Sequence, residues 1–282
     1  MTVPSPVEPT VDGTVRVRDG VRIRFSVHRG ATHARRIALV HSLALDRGVW
    51  AHVVPHLVEH ADVLTYDCRG HGASGTGAYD YSVPQFADDL ADLLDALGWP
   101  DVLVAGASMG GAVAQQFAAS HADRTVGGVF VDTTAWYGEG APEAWRVRGA
   151  KPRESGFASM LGFQFPRWFG DDYRRDHPDV LDALRETFVA NDVAAYEATC
   201  AMMGGYDLRP LAPQITAPTA VVVGSEDYAT PPEMAEALAK SLGSTPVTEL
   251  DGAKHLTPLE RPAEVAAVLL DTLARADGAT DD

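Results

Sequence analysis

Serine becomes a nucleophile only when a base takes its proton and a carboxylate orients that base. This sequence offers candidates for all three roles. Gly106-Ala-Ser108-Met-Gly110 follows directly on the apolar run 102–105. A serine on a tight strand-to-helix turn needs small neighbours, and Gly106, Gly110 and Gly111 supply the room. The helix that starts there aims its N-terminus at the reacting centre, which favours developing negative charge. Among ten histidines, His255 in Asp251-Gly-Ala-Lys-His-Leu-Thr-Pro is expected in the loop between the last strand and the last helix. His28, His33, His52, His56, His60, His121 and His177 fall on strands, helix faces or polar turns and read as surface residues. Asp227, just after the apolar run 219–223, is the assigned acid, with Glu226 and Asp132 as competitors. The chain order Ser108, Asp227, His255 suits a nucleophile lifted above a parallel sheet.

A tetrahedral intermediate also needs two backbone donors for its oxyanion. The N–H of Met109, next to the nucleophile, is one. The other is assigned to Leu43 in His41-Ser-Leu-Ala-Leu-Asp46, the loop after the apolar run 37–40. Asp67-Cys-Arg-Gly-His-Gly-Ala-Ser74 is also rich in reactive side chains, but Arg69 and His71 in a glycine-rich loop read as braces between loops.

The elements that must position these groups alternate. Segments 14–18 and 21–27 flank Asp19-Gly20 as a hairpin. Strands are predicted at 37–40, 63–66, 102–105, 128–131, 219–223 and 246–250. Helices are predicted at 50–58, from Ser82 to Gly98, 108–119, 232–242 and 262–274. Ser82 with Gln85 three residues on is a capping-box pattern, and Gly98 can close that helix. Short connections between alternating strands and helices predict an α/β fold with a mostly parallel sheet covered on both faces. The rhythm stops after Asp132. Residues 133–213 are expected to form an inserted helical cap, and 1–132 with 214–282 the core. Aromatic residues crowd the first half of the insertion. Trp136 and Met160 are assigned to an apolar wall of the site, and Arg146, Arg148 and Arg153 to an anionic substrate group if there is one.

The 282 residues are 46% hydrophobic and 22% charged, with a formal net charge of −16. That charge disfavours nucleic acid and anionic membranes as partners and leaves a small molecule as the expected one. The oligomeric state is not readable. The start lacks a basic, then apolar, secretory pattern, and Cys68 and Cys200 are too few for a disulfide scaffold or a cysteine-based zinc site. A cytoplasmic protein is expected.

The residues together resemble the alpha/beta-hydrolase superfamily, from the His41-Ser-Leu loop through Gly106-Ala-Ser-Met-Gly-Gly to Asp227 and His255. Within it, Asp67-Cys-Arg-Gly-His-Gly-Ala-Ser, Tyr196-Glu-Ala-Thr-Cys200, Asp207-Leu, Ile215-Thr-Ala-Pro-Thr219 and Pro231-Pro-Glu are similar to 3-oxoadipate enol-lactonases. The resemblance implies an alpha/beta-hydrolase fold, a lid over a Ser-His-Asp site, and hydrolysis of a small ester or lactone without metal or cofactor. The chain departs from it at His41-Ser-Leu-Ala, where Asn-Ser-Leu-Gly is usual. It departs again at Met203-Gly-Gly205, where a basic residue is common. Dehalogenase and epoxide-hydrolase relatives would carry a carboxylate at position 108. A different class, a receptor or tailoring protein that uses the pocket without net hydrolysis, is the alternative, since fold does not fix function.

Overall fold

The computed structural model describes residues 5–30 and 35–278; the sequence reading of His33 lies outside them. Eight strands form one sheet: β1 (Val11–Arg16), β2 (Arg22–His28), β3 (Arg36–Val40), β4 (Asp62–Tyr66), β5 (Val102–Ala107), β6 (Thr125–Val131), β7 (Thr219–Gly224) and β8 (Val247–Leu250). Their order is β1-β2-β4-β3-β5-β6-β7-β8. β2 pairs antiparallel with β1 and with β4, and every pairing from β4 through β3 to β8 is parallel.

Strands β3, β4, β5 and β7 are buried without alternation because helices cover both faces of the sheet. The order reverses at β3, which has β4 on one side and β5 on the other. The carboxyl ends of such neighbours leave a crevice between diverging loops. The His41–Asp46 loop and Ser108 both start there.

The helix Val83–Leu97 shows how locally the flanking elements are encoded. Ser82, in extended geometry, accepts the Gln85 N–H at 3.3 Å, and Gly98 ends the helix at φ 66°. Gln85 Oε1 has no partner among the described residues, so the box expected from sequence is only half closed. The helix expected at 50–58 is two pieces, a 3-10 turn Arg47–Trp50 capped by Asp46 and a short helix Val54–Leu57. Pro55 offers no N–H to a preceding turn, so the helix must start afresh there. His28 also departs from expectation. It is buried on β2, and burial lowers its proton affinity.

Between β6 and β7 lie the helices Ala141–Ser155, Leu161–Trp168, Asp171–Asp176, Pro178–Val189 and Val193–Gly205. The first and last of these approach closely through small residues. A Cβ at Gly149 would lie 3.0 Å from Cys200 Cβ, and one at Gly204 would lie 2.9 Å from Trp145 Cβ. Phe157, Trp168, Phe188 and Tyr196 form a small core of edge-to-face rings 5.1 to 5.6 Å apart. Among the described residues no helix is long and apolar enough to cross a membrane.

Candidate active site

Ser108 sits between β5 and the helix Met109–Ser120 at φ 54° and ψ −114°, a conformation costly for a residue with a Cβ. The surroundings hold it there. Its N–H donates to Val131 O at 2.9 Å, and its carbonyl accepts from Gly111 N–H and Thr133 Oγ1. The neighbouring glycines are required by space. A Cβ on Gly106 would lie 1.9 Å from Gly110 O, and one on Gly110 would lie 2.2 Å from Val40 O.

His255 Nε2 lies 3.0 Å from Ser108 Oγ, and His255 Nδ1 lies 2.8 Å from Asp227 Oδ2. A carboxylate only accepts, so Nδ1 carries the proton and donates, leaving Nε2 able to accept from the serine hydroxyl. Asp227 also accepts N–H bonds from Ala229 (2.7 Å) and Thr230 (3.0 Å) on Oδ1, and the Thr230 hydroxyl (2.9 Å) on Oδ2. Burial pushes its carboxyl up, but His255 and the Thr230 donors outweigh that and hold it below the usual aspartate value.

The competing acids are placed otherwise. Glu226 is exposed. Asp132 is fully buried and accepts the N–H and hydroxyl of Thr257 at 2.8 and 2.7 Å, tying β6 to the loop after His255. Burial, then the charge of Asp227, pushes its carboxyl well above the usual range.

The N–H groups of Leu43 and Met109 donate to no protein acceptor among the described residues. Leu43 and Ser108 line one cavity. His41 holds the Leu43 loop from below. The Cys68 N–H can only donate, so His41 Nε2 accepts it at 2.9 Å, and the proton on Nδ1 goes to Ser42 O at 2.7 Å. Burial keeps this ring neutral by lowering its pKa. Arg69 braces neighbouring elements as expected, and His71 meets the neighbouring loop through its ring, edge-on to His41 at 5.2 Å. Arg69 forms a bidentate pair with Asp89 at 2.7 and 2.6 Å and reaches Asp19 at 2.8 Å, while His71 Nδ1 donates to Arg69 O.

Ser108 and His255 open into a cavity of about 210 Å³ whose other wall comes from the segment between β6 and β7, including Tyr137 ahead of its first helix and Trp145, Arg148 and Trp168 on its helices. These helices are anchored on both sides of His255. Leu256 N–H donates to Trp168 O, Lys254 Nζ donates to Pro166 O, and buried Glu260 accepts the N–H groups of Gly170 and Lys254.

Of the wall residues assigned from sequence, Arg148 lines this cavity and the others do not. Trp136 bridges to Asp207 and stacks under Arg209, so the next residue, Tyr137, faces the cavity instead. Met160 lines an adjoining outer chamber. Arg146 pairs with Glu143 and Arg153 with Glu197 on the exposed side of their helix. The inner stripe of that helix is Ala141, Trp145, Gly149 and Pro152. Helical periodicity puts Arg148 beside the stripe and turns Arg146 and Arg153 away. Sequence reasoning missed Gln164, Arg167 and Tyr228 as wall residues. Among the described residues no group of three His, Cys, Asp or Glu side chains is arranged to hold a metal ion.

Residues 37–268 match the alpha/beta hydrolase family, and the chain belongs to it. It is a hydrolase of that fold. Among solved structures it is similar to the enol-lactonase of Burkholderia xenovorans, at 34% identity and a TM-score of 0.87 over 93% of this chain and 100% of that one. It also resembles a thermophilic esterase of Thermogutta terrifontis, at 28% identity and a TM-score of 0.85 over 95% of this chain and 99% of the other. The 3-oxoadipate enol-lactonase 2 of Acinetobacter baylyi is 29% identical over 231 residues, 81% of this chain and 85% of that protein. The resemblance to enol-lactonases drawn from the motifs agrees with these relatives.

Proposed function

We propose that this protein hydrolyses a small carboxylic ester or lactone through an acyl-enzyme on Ser108, with 3-oxoadipate enol-lactone as the leading named candidate. The observation that carries the reading is the unbroken chain Ser108 Oγ, His255 Nε2, His255 Nδ1, Asp227 Oδ2, with spacings of 3.0 and 2.8 Å, beside a pocket lined by Ser108 and His255. Ser108 Oγ bonds to the substrate carbonyl carbon as its proton passes to His255 Nε2. The carbonyl oxygen takes the negative charge and is met by the N–H groups of Leu43 and Met109. The bond to the leaving oxygen breaks, and that oxygen takes the proton from His255. Water then attacks the acyl-enzyme by the same route and frees the acid. With an enol-lactone the leaving enol stays on the same molecule and relaxes to a ketone, which makes ring opening effectively one-way. The enol-lactone candidate rests on the enol-lactonase relatives.

The test is labelling with a serine-directed fluorophosphonate, together with turnover of a panel of esters and lactones that includes 3-oxoadipate enol-lactone. Labelling and turnover are expected in the wild type and absent in Ser108→Ala, while His255→Ala should lose nearly all turnover. A wild type that neither labels nor turns over any member of the panel would favour a ligand-binding role, as the name of a 25% identical petunia relative, Karrikin insensitive 2 receptor IA, suggests for that protein.

A further inference from the structure

We infer that Arg148, Gln164 and Arg167 form a subsite for a carboxylate, so that the hydrolase takes esters or lactones bearing an anionic group away from the reacting carbonyl. This rests on the hydrolase reading of Ser108 and concerns the opposite wall of the same pocket. All three residues line both the 210 Å³ cavity that holds Ser108 and an adjoining chamber of about 630 Å³ between the helices Ala141–Ser155 and Leu161–Trp168. They stand at the junction of the two spaces.

Gln164 supplies the first argument. It is 2% exposed, and its side-chain amide makes no hydrogen bond to any described residue. Its amide atoms are not sealed from solvent but open on the cavity, where the N–H groups are free to donate to a ligand oxygen. The arginines supply the second. Arg146, Arg153, Arg174, Arg175, Arg185 and Arg209 of the inserted segment each pair with a carboxylate. Arg148 and Arg167 have no carboxylate partner among the described residues.

Both unpaired guanidinium groups are held by their surroundings. Arg148 Nε donates to Tyr196 Oη at 3.1 Å, and its carbon lies 4.9 Å from the centre of the Trp145 ring. Arg167 is stacked between Phe163 and Tyr228, at 3.7 and 4.0 Å. The rings cover both faces of Arg167 and leave its edge N–H groups free, and in Arg148 the Nη groups remain free beside the engaged Nε, which in each case leaves a pair of donors that a carboxylate can meet with two parallel bonds. Two other charged side chains line the outer chamber, Lys151 and Glu154, of opposite sign. The negative charge nearest the chemistry, Asp227, is already engaged by His255. In a chain of net charge −16, the unpaired positive charge of the segment is thus gathered on the substrate wall.

The test compares 4-nitrophenyl hemiesters of succinic, glutaric and adipic acids with the 4-nitrophenyl esters of butyric, pentanoic and hexanoic acids. The wild type should prefer the anionic member of at least one pair. In Arg148→Met and in Gln164→Leu the ratio of kcat/KM, anionic over neutral, should fall at least about tenfold, chiefly through KM. Arg148→Lys should recover part of it. Arg175→Met removes the same charge from an exposed site and should leave the ratio as it is. The inference is overturned if the wild type shows no anionic preference, if Arg148→Met lowers both members equally, or if Arg175→Met lowers the ratio as much. If nothing is turned over and Ser108 does not label, the hydrolase reading fails. Calorimetric titration of Ser108→Ala with glutarate, with and without Arg148→Met, then decides the subsite alone, and an unchanged affinity would overturn it.

Discussion

Replacing Asp227 by Asn changes one atom and tests the proton arrangement directly. An asparagine at this position has no choice of orientation. The Oδ1 position faces two backbone donors, Ala229 N–H at 2.7 Å and Thr230 N–H at 3.0 Å, so the amide oxygen must occupy it. The NH2 group then takes the Oδ2 position, 2.8 Å from His255 Nδ1. Two donors cannot share that contact, so Nδ1 must become the acceptor and the ring proton moves to Nε2. Nε2 then points a proton at Ser108 Oγ and cannot act as its base. The same substitution in a serine protease lowers kcat about 10⁴-fold, equivalent to about 5 kcal/mol in the barrier, and a loss of that order is expected here. The assay is kcat/KM on an ester that the wild type hydrolyses, with thermal unfolding in parallel to show that the fold survives. Ser108→Ala and His255→Ala should be lower still. The companion variant is Asp132→Asn. Its carboxylate bonds to Thr257 and Gly224 and not to the histidine, so it should lose stability more than turnover. If Asp227→Asn keeps more than about a tenth of wild-type kcat/KM, a barrier change under roughly 1.4 kcal/mol, the assignment of the acid is refuted. Collapse of activity in Asp132→Asn without loss of fold would transfer the role to that residue.

Two further predictions concern the frame around the site. In Gly106→Ala the new methyl would lie 1.9 Å from Gly110 O and 2.2 Å from its carbonyl carbon, so the turn bearing Ser108 must move. A displacement of about 1 Å is expected to cost on the order of 100-fold in kcat, whereas Gly140→Ala, which faces open space, should stay close to wild type. An active Gly106→Ala with unchanged kinetics would contradict the close packing of the turn. Burial, and then His41, pushes the pKa of His71 down to about 3. An unfolded histidine takes up its proton near pH 6.5, so between those values only the unfolded state is protonated and stability falls as pH drops. At about pH 5 this one group should cost about 2 kcal/mol relative to pH 7. Urea unfolding at the two pH values should show the gap narrowed by that amount in His71→Gln, and an equal gap in both proteins would remove His71 as its source.

The candidate triad and its frame were legible because their signals are short-range. Gly106, Gly110 and Gly111 surround Ser108 within five residues, and a strand of Val, Leu and Ala before them states that both faces are covered. Ser82 and Gly98 mark the ends of a helix by themselves. Where a local rule was broken, the residue concerned was also local, as with Pro55 splitting the helix expected at 50–58. The choice of Asp227 over Asp132 was of another kind. Both follow a strand at the same end of the sheet, and only the register of β6 against β7 turns Asp132 toward Thr257 and leaves Asp227 beside His255.

By itself, then, the sequence determined the element order, the turn that lifts Ser108 and the loops that carry its partners, because each depends on residues a few positions apart. The tertiary structure alone decided what lines the pocket. Arg146, Arg148 and Arg153 lie on one helix, and which of them reaches the substrate wall depends on how that helix packs against Val193–Gly205 through Gly149 and Cys200. Tyr137 replaces Trp136 because an extended segment turns alternate residues to opposite sides, and the bridge to Asp207 sets which side is which. Gln164 and Arg167 come from a helix of eight residues, too short for its periodicity to declare a face. Their place beside Ser108 is set by contacts with residues about 90 positions further along the chain, at Lys254, Leu256 and Glu260, and no local pattern encodes those.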